Sequence, residues 1–436
     1  MTDQTVSAPF RADVARGGAF YRLVWKWHFL ASLYVLPFML ILSITGGIYL
    51  FKPQIEEIIY ESRLNVEVTG EPHSLEMQQA AVMAAFPGSR IDGITTEQAP
   101  GRATVFTVKD QNRVKSYVWV NPYTAEILEN QERNSTMMRM LKKFHGELLL
   151  GDVGTKFVEL SAHWAIVMMI TGVYMWWPRG KRTWSKVFSL PSNKGRAWWR
   201  EVHMFTGILA FVLIFPLLLT GLPWTDVWGG GFSFIQEQTG QKSPSLRFGG
   251  KPVVSSASEG EAITYAQVIE TARVQGMTLP YTLRPPKNAD ATYWVGSATR
   301  DRFARSEMVI DQYSGEVLKT VSFADFPILA KAVSLGIGFH QGELYGWTNI
   351  IQNVIASVLG VILSISGFVA WWSRRPAGEL GVPAAPQAVL SWGMIALVVA
   401  LSILLPLMGA SLVLALVLDW AIFKRLGWFQ GLKLTA

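Results

Sequence analysis

The sequence predicts an α-helical membrane protein with α+β domains outside the bilayer. Its four-helix core is expected to be a parallel internal repeat, followed by a C-terminal helical hairpin. Three observations carry this. Half of the 436 residues are hydrophobic and only 16% are charged, against roughly 25% in soluble chains. Four apolar runs are long enough to cross a hydrocarbon core of about 30 Å. Blocks of the first half also return, in the same order, in the second.

The elements follow in order. Residues 1–27 are an N-terminal segment with Arg11, Arg16, Arg22 and Lys26. The first span, 28–51, is too long for a signal-peptide core and lacks a small-x-small cleavage site, so it is read as a retained anchor. Residues 52–140 mix a helix-like stretch (SLEMQQAAVMAAF) with strand-like ones (ATVFTVKD, VKSYVWVN) and end in a tight turn, NPYTAE. Residues 141–177 hold a histidine segment and the second span, 157–177. The loop 178–202 is basic, and 203–223 is the third span. Residues 224–338 repeat the mixed pattern (TYAQVIETARVQG, ATYWVGSA, SEMVIDQ) and its turn, DQYSGE. Residues 339–372 hold a second histidine segment and the fourth span, 350–372, and 373–390 form a loop. The apolar stretch 391–423 would be about 50 Å long as one helix. Two short helices turning near Pro406 and Gly409 are expected instead, with 424–436 as a tail.

Charge sets the expected orientation. The loop 178–202 holds Arg179, Lys181, Arg182, Lys186, Lys194, Arg196 and Arg200 against Glu201 alone. If the spans alternate, this loop falls on one side with the N-terminal cations, Arg374 and Arg375, and a C-terminal hairpin returns Lys424 and Arg425 to that side. Positive loops stay in the cytoplasm. The net charge of +7 is thereby accounted for by topology rather than by nucleic-acid binding. The absence of cysteine excludes iron–sulfur ligation, disulfides, thiolate catalysis and covalent haem attachment. Any metal chemistry must use histidine or carboxylate.

The duplication is read from matched blocks. His28 and His203 stand 175 residues apart, as do SITGG and LLTGL. VNPYTAEIL returns as IDQYSGEVL after 190 residues, and MITGVYMWWPR as SISGFVAWWSR after 195. FHGELLLG returns as FHQGELYG. An even number of crossings per half makes the repeat parallel, about an axis along the membrane normal.

That symmetry pairs four of the six histidines. His28 and His203 open the first and third spans at the cytoplasmic edge, and His145 and His340 precede the second and fourth spans on the outer side. Each pair could grip one iron from opposite faces of a haem, since haem iron takes axial histidines and bundle interiors build such sites. Zinc wants four ligands in a tetrahedron, which two histidines per level do not supply. Small pairs accompany them: Thr45-Gly46 and Thr220-Gly221 near the outer level, Thr171-Gly172 and Ser366-Gly367 near the inner one. Gly46, Gly172, Gly221 and Gly367 are expected to leave room for a flat macrocycle; ordinary close packing of helices is the alternative. His163 has no counterpart, because Val358 stands in its place, and it is read as a buried imidazole with an uncertain claim to ligation. His73 reads as a surface residue. Arg22, Lys26 and Arg200 could meet haem propionates. Glu147 and Glu343 follow the outer histidines and could hold a ring N–H, contact substrate or cap a helix. Trp224 and Trp228 read as interfacial residues or a substrate face.

FHGELLLGDVGTKFVEL, TGVYMWWPR, VHMFTGILAF, LTGLPWTDVWG, FHQGELYGW and SGFVAWWSRRP resemble the PepSY-associated transmembrane family, and PYTAEIL and QYSGEVL resemble ends of PepSY domains. The resemblance covers nearly all of the chain except its N-terminal tail and last 50 residues. It implies PepSY-like periplasmic domains at 52–140 and 224–338, a place in the bacterial inner membrane, and a di-haem b reductase of ferric siderophores. His28, His145, His203 and His340 match the family's pattern; His163 does not. The expected function is electron transfer from the cytoplasmic side to a periplasmic ferric-siderophore or other iron chelate, through two haem b. With no Gly-rich dinucleotide fingerprint, the donor is expected to be a separate partner or quinol. One alternative is a non-enzymatic sensor or peptidase regulator. Another is a transporter, disfavoured because acidic residues are scarce in the spans.

Overall fold

The computed structural model describes residues 18–96, 99–178, 194–248, 251–256, 261–383, 389–421 and 433–434. Arg11, Arg16, Arg179, Lys181, Arg182, Lys186, Lys424 and Arg425 lie outside the described residues. The chain divides into a helical unit (Met1–Ile48, Lys143–Phe232, Ile351–Ala436) and a sheet unit (Tyr49–Lys142, Ser233–Ile350).

Among the described residues, four helices are long and apolar enough to cross a membrane: Phe20–Tyr49, Gly151–Trp176, Arg196–Trp224 and Trp347–Trp372. All four start upstream of the expected starts at 28, 157, 203 and 350. Arg22, Lys26, Asp152 and Arg200 interrupt the apolar run but not the backbone ladder, since Lys and Arg are good helix formers and Asp152 stands in a first turn. Pro37 and Pro216 lie inside spans; neighbouring helices and hydroxyl side chains make this tolerable in membrane helices. The first and fourth spans approach closely. A Cβ on Gly360 would come within 2.1 Å of Ser43 Oγ, and one on Gly47 within 3.2 Å of Ser357 Cβ. Small residues thus set the helix separation where apolar association alone provides little drive.

The C-terminal apolar stretch forms two helices, Trp392–Leu404 and Pro406–Ala421. Gly409 is needed at their crossing, because a Cβ there would meet the Ser402 carbonyl oxygen at 2.8 Å. The second helix packs on the second span, where Trp164 Nε1 donates to Ser411 Oγ at 3.1 Å. Ile166, Leu222, Leu405 and Met408 are buried together there.

In the sheet unit, strands β1 (Arg90–Thr96), β2 (Thr104–Lys109), β3 (Lys115–Val120) and β4 (Ile127–Glu132) form an antiparallel meander. A two-residue ladder, β5 (Arg247–Phe248) with β6 (Lys251–Pro252), comes next. A second meander follows: β7 (Tyr281–Arg284), β8 (Tyr293–Ser297), β9 (Ser306–Ile310) and β10 (Val317–Ser322). The two meanders share one eight-stranded sheet of order β10-β9-β8-β7-β1-β2-β3-β4. The join is antiparallel, pairing Ile94 with Leu283, Thr95 with Thr282 and Thr96 with Tyr281. Each repeat covers the other's open edge, much as a two-fold dimer does, which removes two aggregation-prone edges. Period-2 alternation turns Phe106 and Val108 to the same face as Ile94, Leu283, Val295 and Met308. Helices Leu75–Ala85 and Tyr265–Val274 close that face with Val82, Val268 and Ala272. Ser74 caps the first helix, and Thr264 with Gln267 forms a capping box on the second.

The repeated turns have one chemistry. Asn121 Oδ1 accepts from Tyr123 N at 2.9 Å, and Asp311 Oδ1 from Tyr313 N at 2.8 Å. The residue needing a left-handed backbone is Ala125 (φ 57°) in the first copy and Gly315 (φ 73°) in the second.

Candidate cofactor site

Each candidate histidine sits beside a helix end or a small-residue pair, and the hydrogen bonds fix what its ring offers. His28 Nδ1 lies 3.0 Å from Thr171 Oγ1. The Thr171 hydroxyl donates its single proton to Val167 O at 2.9 Å, so toward His28 it accepts. His28 therefore carries its proton on Nδ1, leaving the Nε2 lone pair bare. His203 reaches the same state by another route. Its Nδ1 lies 3.1 Å from Leu363 O, which only accepts, with Ser366 Oγ at 3.5 Å. His145 repeats the first solution, because Thr45 Oγ1 donates to Ile41 O at 2.7 Å and accepts from His145 Nδ1 at 2.8 Å. In His28 and His203, a ring held through Nδ1 with Nε2 open is the state in which protein histidines bind metals.

The glycines of these pairs face the imidazoles themselves. A Cβ on Gly172 would lie 3.5 Å from His28 Cε1, one on Gly367 3.1 Å from His203 Cε1, and one on Gly46 3.2 Å from His145 Cε1. The hydroxyl binds the ring and the adjacent glycine admits it. Gly221 ends the third helix, Arg196–Gly221.

His28 and His203 line one cavity of about 310 Å³ inside the helical unit, within the range of small-molecule and cofactor pockets. Its walls include Val35, Met39, Met169 and Leu363. Three arginines, Arg196, Arg200 and Arg374, also line it, whereas Arg22 and Lys26 do not. The Arg374 guanidinium lies over the Trp25 and Phe29 rings, at 4.9 and 5.1 Å from their centroids. Burial and the nearby Arg196 push Arg374 below its ordinary range. Two imidazoles with open Nε2, apolar walls and guanidinium groups are a donor set that would suit an iron porphyrin, His28 and His203 supplying nitrogen ligands and Arg196, Arg200 and Arg374 charge for its propionates. Among the described residues, no three or more His, Asp and Glu side chains gather as a metal site. A porphyrin needs only two such ligands from the protein.

The outer pair is split between the two units. His145 belongs to the helical unit, near the end of helix Met137–Glu147. The chain then turns sharply, with Leu148 at φ 51°, Leu149 at 60° and Gly151 at 58°. Gly154 is obligatory at this corner, because a Cβ there would lie 1.8 Å from the Glu147 carbonyl oxygen. His340 belongs to the sheet unit, in the last turn of helix Ile328–Gln341, which Gly342 ends at φ 72°. Asn349 ties that corner, donating to Phe339 O at 3.1 Å and accepting from Leu344 N at 3.1 Å.

The remaining candidates take other places. Three roles are open to Glu147, holding a ring N–H, contacting substrate or capping a helix; the Nδ1 side of the His145 ring is occupied by Thr45 at 2.8 Å. The Glu343 carboxylate is held by Arg300, Arg302 and Arg305. Trp224 is half-exposed, and Trp228 stacks on Phe232 with centroids 5.1 Å apart. His163 is fully buried, and among the described residues neither ring nitrogen has a hydrogen-bond partner; Glu159 Oε1 lies 3.7 Å from Nε2, beyond hydrogen-bond range. Glu159 is a buried acid that the sequence reading passed over. Its carboxylate accepts from Val227 N at 3.0 Å and Trp228 N at 2.8 Å, capping helix Val227–Gln238.

Fold and site together define a membrane protein with a histidine-lined cavity in its helical unit and an α+β unit built on one eight-stranded sheet. The chain belongs to the family described as PepSY-associated TM region, whose model matches residues 25–374. No curated protein matches the chain.

Proposed function

We propose that the chain is a di-haem b oxidoreductase of the bacterial inner membrane, carrying electrons from the cytoplasmic side to a periplasmic ferric-siderophore and reducing Fe(III) to Fe(II). The observation that carries this reading is the cavity shared by His28 and His203, both with Nδ1 engaged and Nε2 open. Haem bound there supplies a one-electron couple. The chain's own part is to present Nε2 of two imidazoles, to hold their rings by Thr171 and the Leu363 carbonyl, and to keep water out with apolar walls. Arg196, Arg200 and Arg374 offer charge for propionates. His145, held in the same way by Thr45, and His340 are assigned to a second haem on the repeat symmetry alone. Reduction frees the metal because hard oxygen chelators hold Fe(II) less well. The donor is a cytoplasmic partner or quinol.

The visible spectrum of detergent-purified protein tests this. A sharp Soret band that shifts on adding dithionite, with two haems per chain, is expected. Colourless protein from a haem-replete host would overturn it in favour of a periplasmic sensor or peptidase regulator.

A further inference from the structure

The loop between β8 and β9, 298–305 (ATRDRFAR), has no use in the repeat: the matching hairpin of the first copy, 110–114 (DQNRV), holds one arginine. In the second copy three guanidinium groups converge on a single carboxylate. Arg302 Nη2 donates to Glu343 Oε2 at 2.5 Å and to Gln341 Oε1 at 2.8 Å. Arg300 Nε donates to Glu343 Oε1 at 3.2 Å, and Arg305 Nη2 lies 3.9 Å from Oε2. Arg302 is only 6% exposed, and its Nε has no acceptor among the described residues. Its stem runs against Gly338, where a Cβ would come within 2.9 Å of Arg302 Cγ, so the helix carrying His340 is relieved at that point to admit it.

One fork-shaped pair would neutralise Glu343. Asp301 and Glu307 are further acids of the loop region, Asp301 accepting from Phe303 N at 2.9 Å and Glu307 from Trp294 Nε1 at 3.2 Å. Among the described residues, three guanidinium groups thus share one directly contacted carboxylate. Burial and the neighbouring Arg302 push Arg305 below its ordinary range. Arg300 and Arg305 remain about two-fifths exposed, with exposed Phe303 beside them, edge-on to Phe323 at 5.2 Å.

We propose that Arg300, Arg302 and Arg305 form a binding site for a carboxylate-bearing anion beside His340, with Glu343 as the built-in counter-ion that holds the guanidinium groups in place. The carboxylate has two possible sources: a soluble polycarboxylate, free or as its iron chelate, or the propionate of a haem on His340. Only the second rests on the proposed function.

The experiment uses the full chain in detergent. Citrate and its iron(III) complex are titrated calorimetrically, and haem is counted in the same samples. The variants are Arg300→Gln with Arg305→Gln, both partly exposed, and the isosteric Glu343→Gln. For a soluble ligand, the wild type binds citrate saturably, the double variant binds about tenfold or more weakly, and Glu343→Gln binds more tightly. For a propionate, citrate does not bind and the double variant loses haem or shifts its midpoint potential. The proposal is overturned if citrate binding survives the double substitution, if Glu343→Gln weakens it, or if citrate fails to bind and haem is unchanged. Citrate binding by a preparation lacking haem would sink the electron-transfer reading and leave this site standing.

Discussion

The Thr171 hydroxyl lies 3.0 Å from His28 Nδ1 and has already given its proton to Val167, so it fixes which nitrogen of His28 is free. Thr171→Val keeps the shape and removes the acceptor. Groups in this position typically tune metal affinity by about 10–100-fold. Haem retention during dilution should fall in that range, and Thr171→Ser should restore it.

The two inner glycines are not equivalent. A Cβ at 367 would press on the His203 ring at 3.1 Å, whereas one at 172 would make an ordinary 3.5 Å contact with His28. Gly367→Ala should therefore lower haem content or broaden the low-spin spectrum, and Gly172→Ala should leave both close to wild type. Equal effects would show that the glycines act on helix packing instead.

In the sheet unit, Ala125 occupies at φ 57° the turn position that Gly315 fills at φ 73°. A side chain in the left-handed region costs about 1 kcal/mol. Ala125→Gly should stabilise the unit by up to that amount, read as slower amide exchange in β3 and β4.

Asp311 shows how the sister turn responds to acid. Burial alone would raise its carboxyl, but the backbone N–H groups of Ser256, Tyr313 and Ser314 and the Ser256 hydroxyl outweigh that and hold it at about 2. A carboxylate depressed in the folded state stabilises above its unfolded value near 3.8 and loses that contribution as pH falls toward 2. Asp311→Asn should cost about 2 kcal/mol at neutral pH and flatten the acid limb of an unfolding titration.

Much of this architecture is readable in the chain because apolar length, turn chemistry and repeated blocks are local signals. The histidines and their Thr-Gly and Ser-Gly companions were visible for the same reason, and the structure brings one of the symmetry pairs, His28 and His203, to one cavity. The contacts of Gly46, Gly172 and Gly367 with imidazoles were not visible, because helix rotation decides which small residue faces which ring. The join of β1 to β7 was hidden likewise: alternation shows which face is buried, not which edge finds a partner. Arg196 and Arg374 looked like topology markers, since the positive-inside rule requires cations there whether or not they line a cavity. Glu159 was masked by its apolar neighbours; only the fold shows that it caps a helix from the adjoining chain segment.

Haem counted per chain in His28→Ala and His203→Ala, side by side with the wild type, is the most direct test. The account predicts two haems in the wild type and the loss of the same single haem in either variant, with the other spectrum intact. Full haem content in both variants, or its loss only on replacing His163, would contradict it.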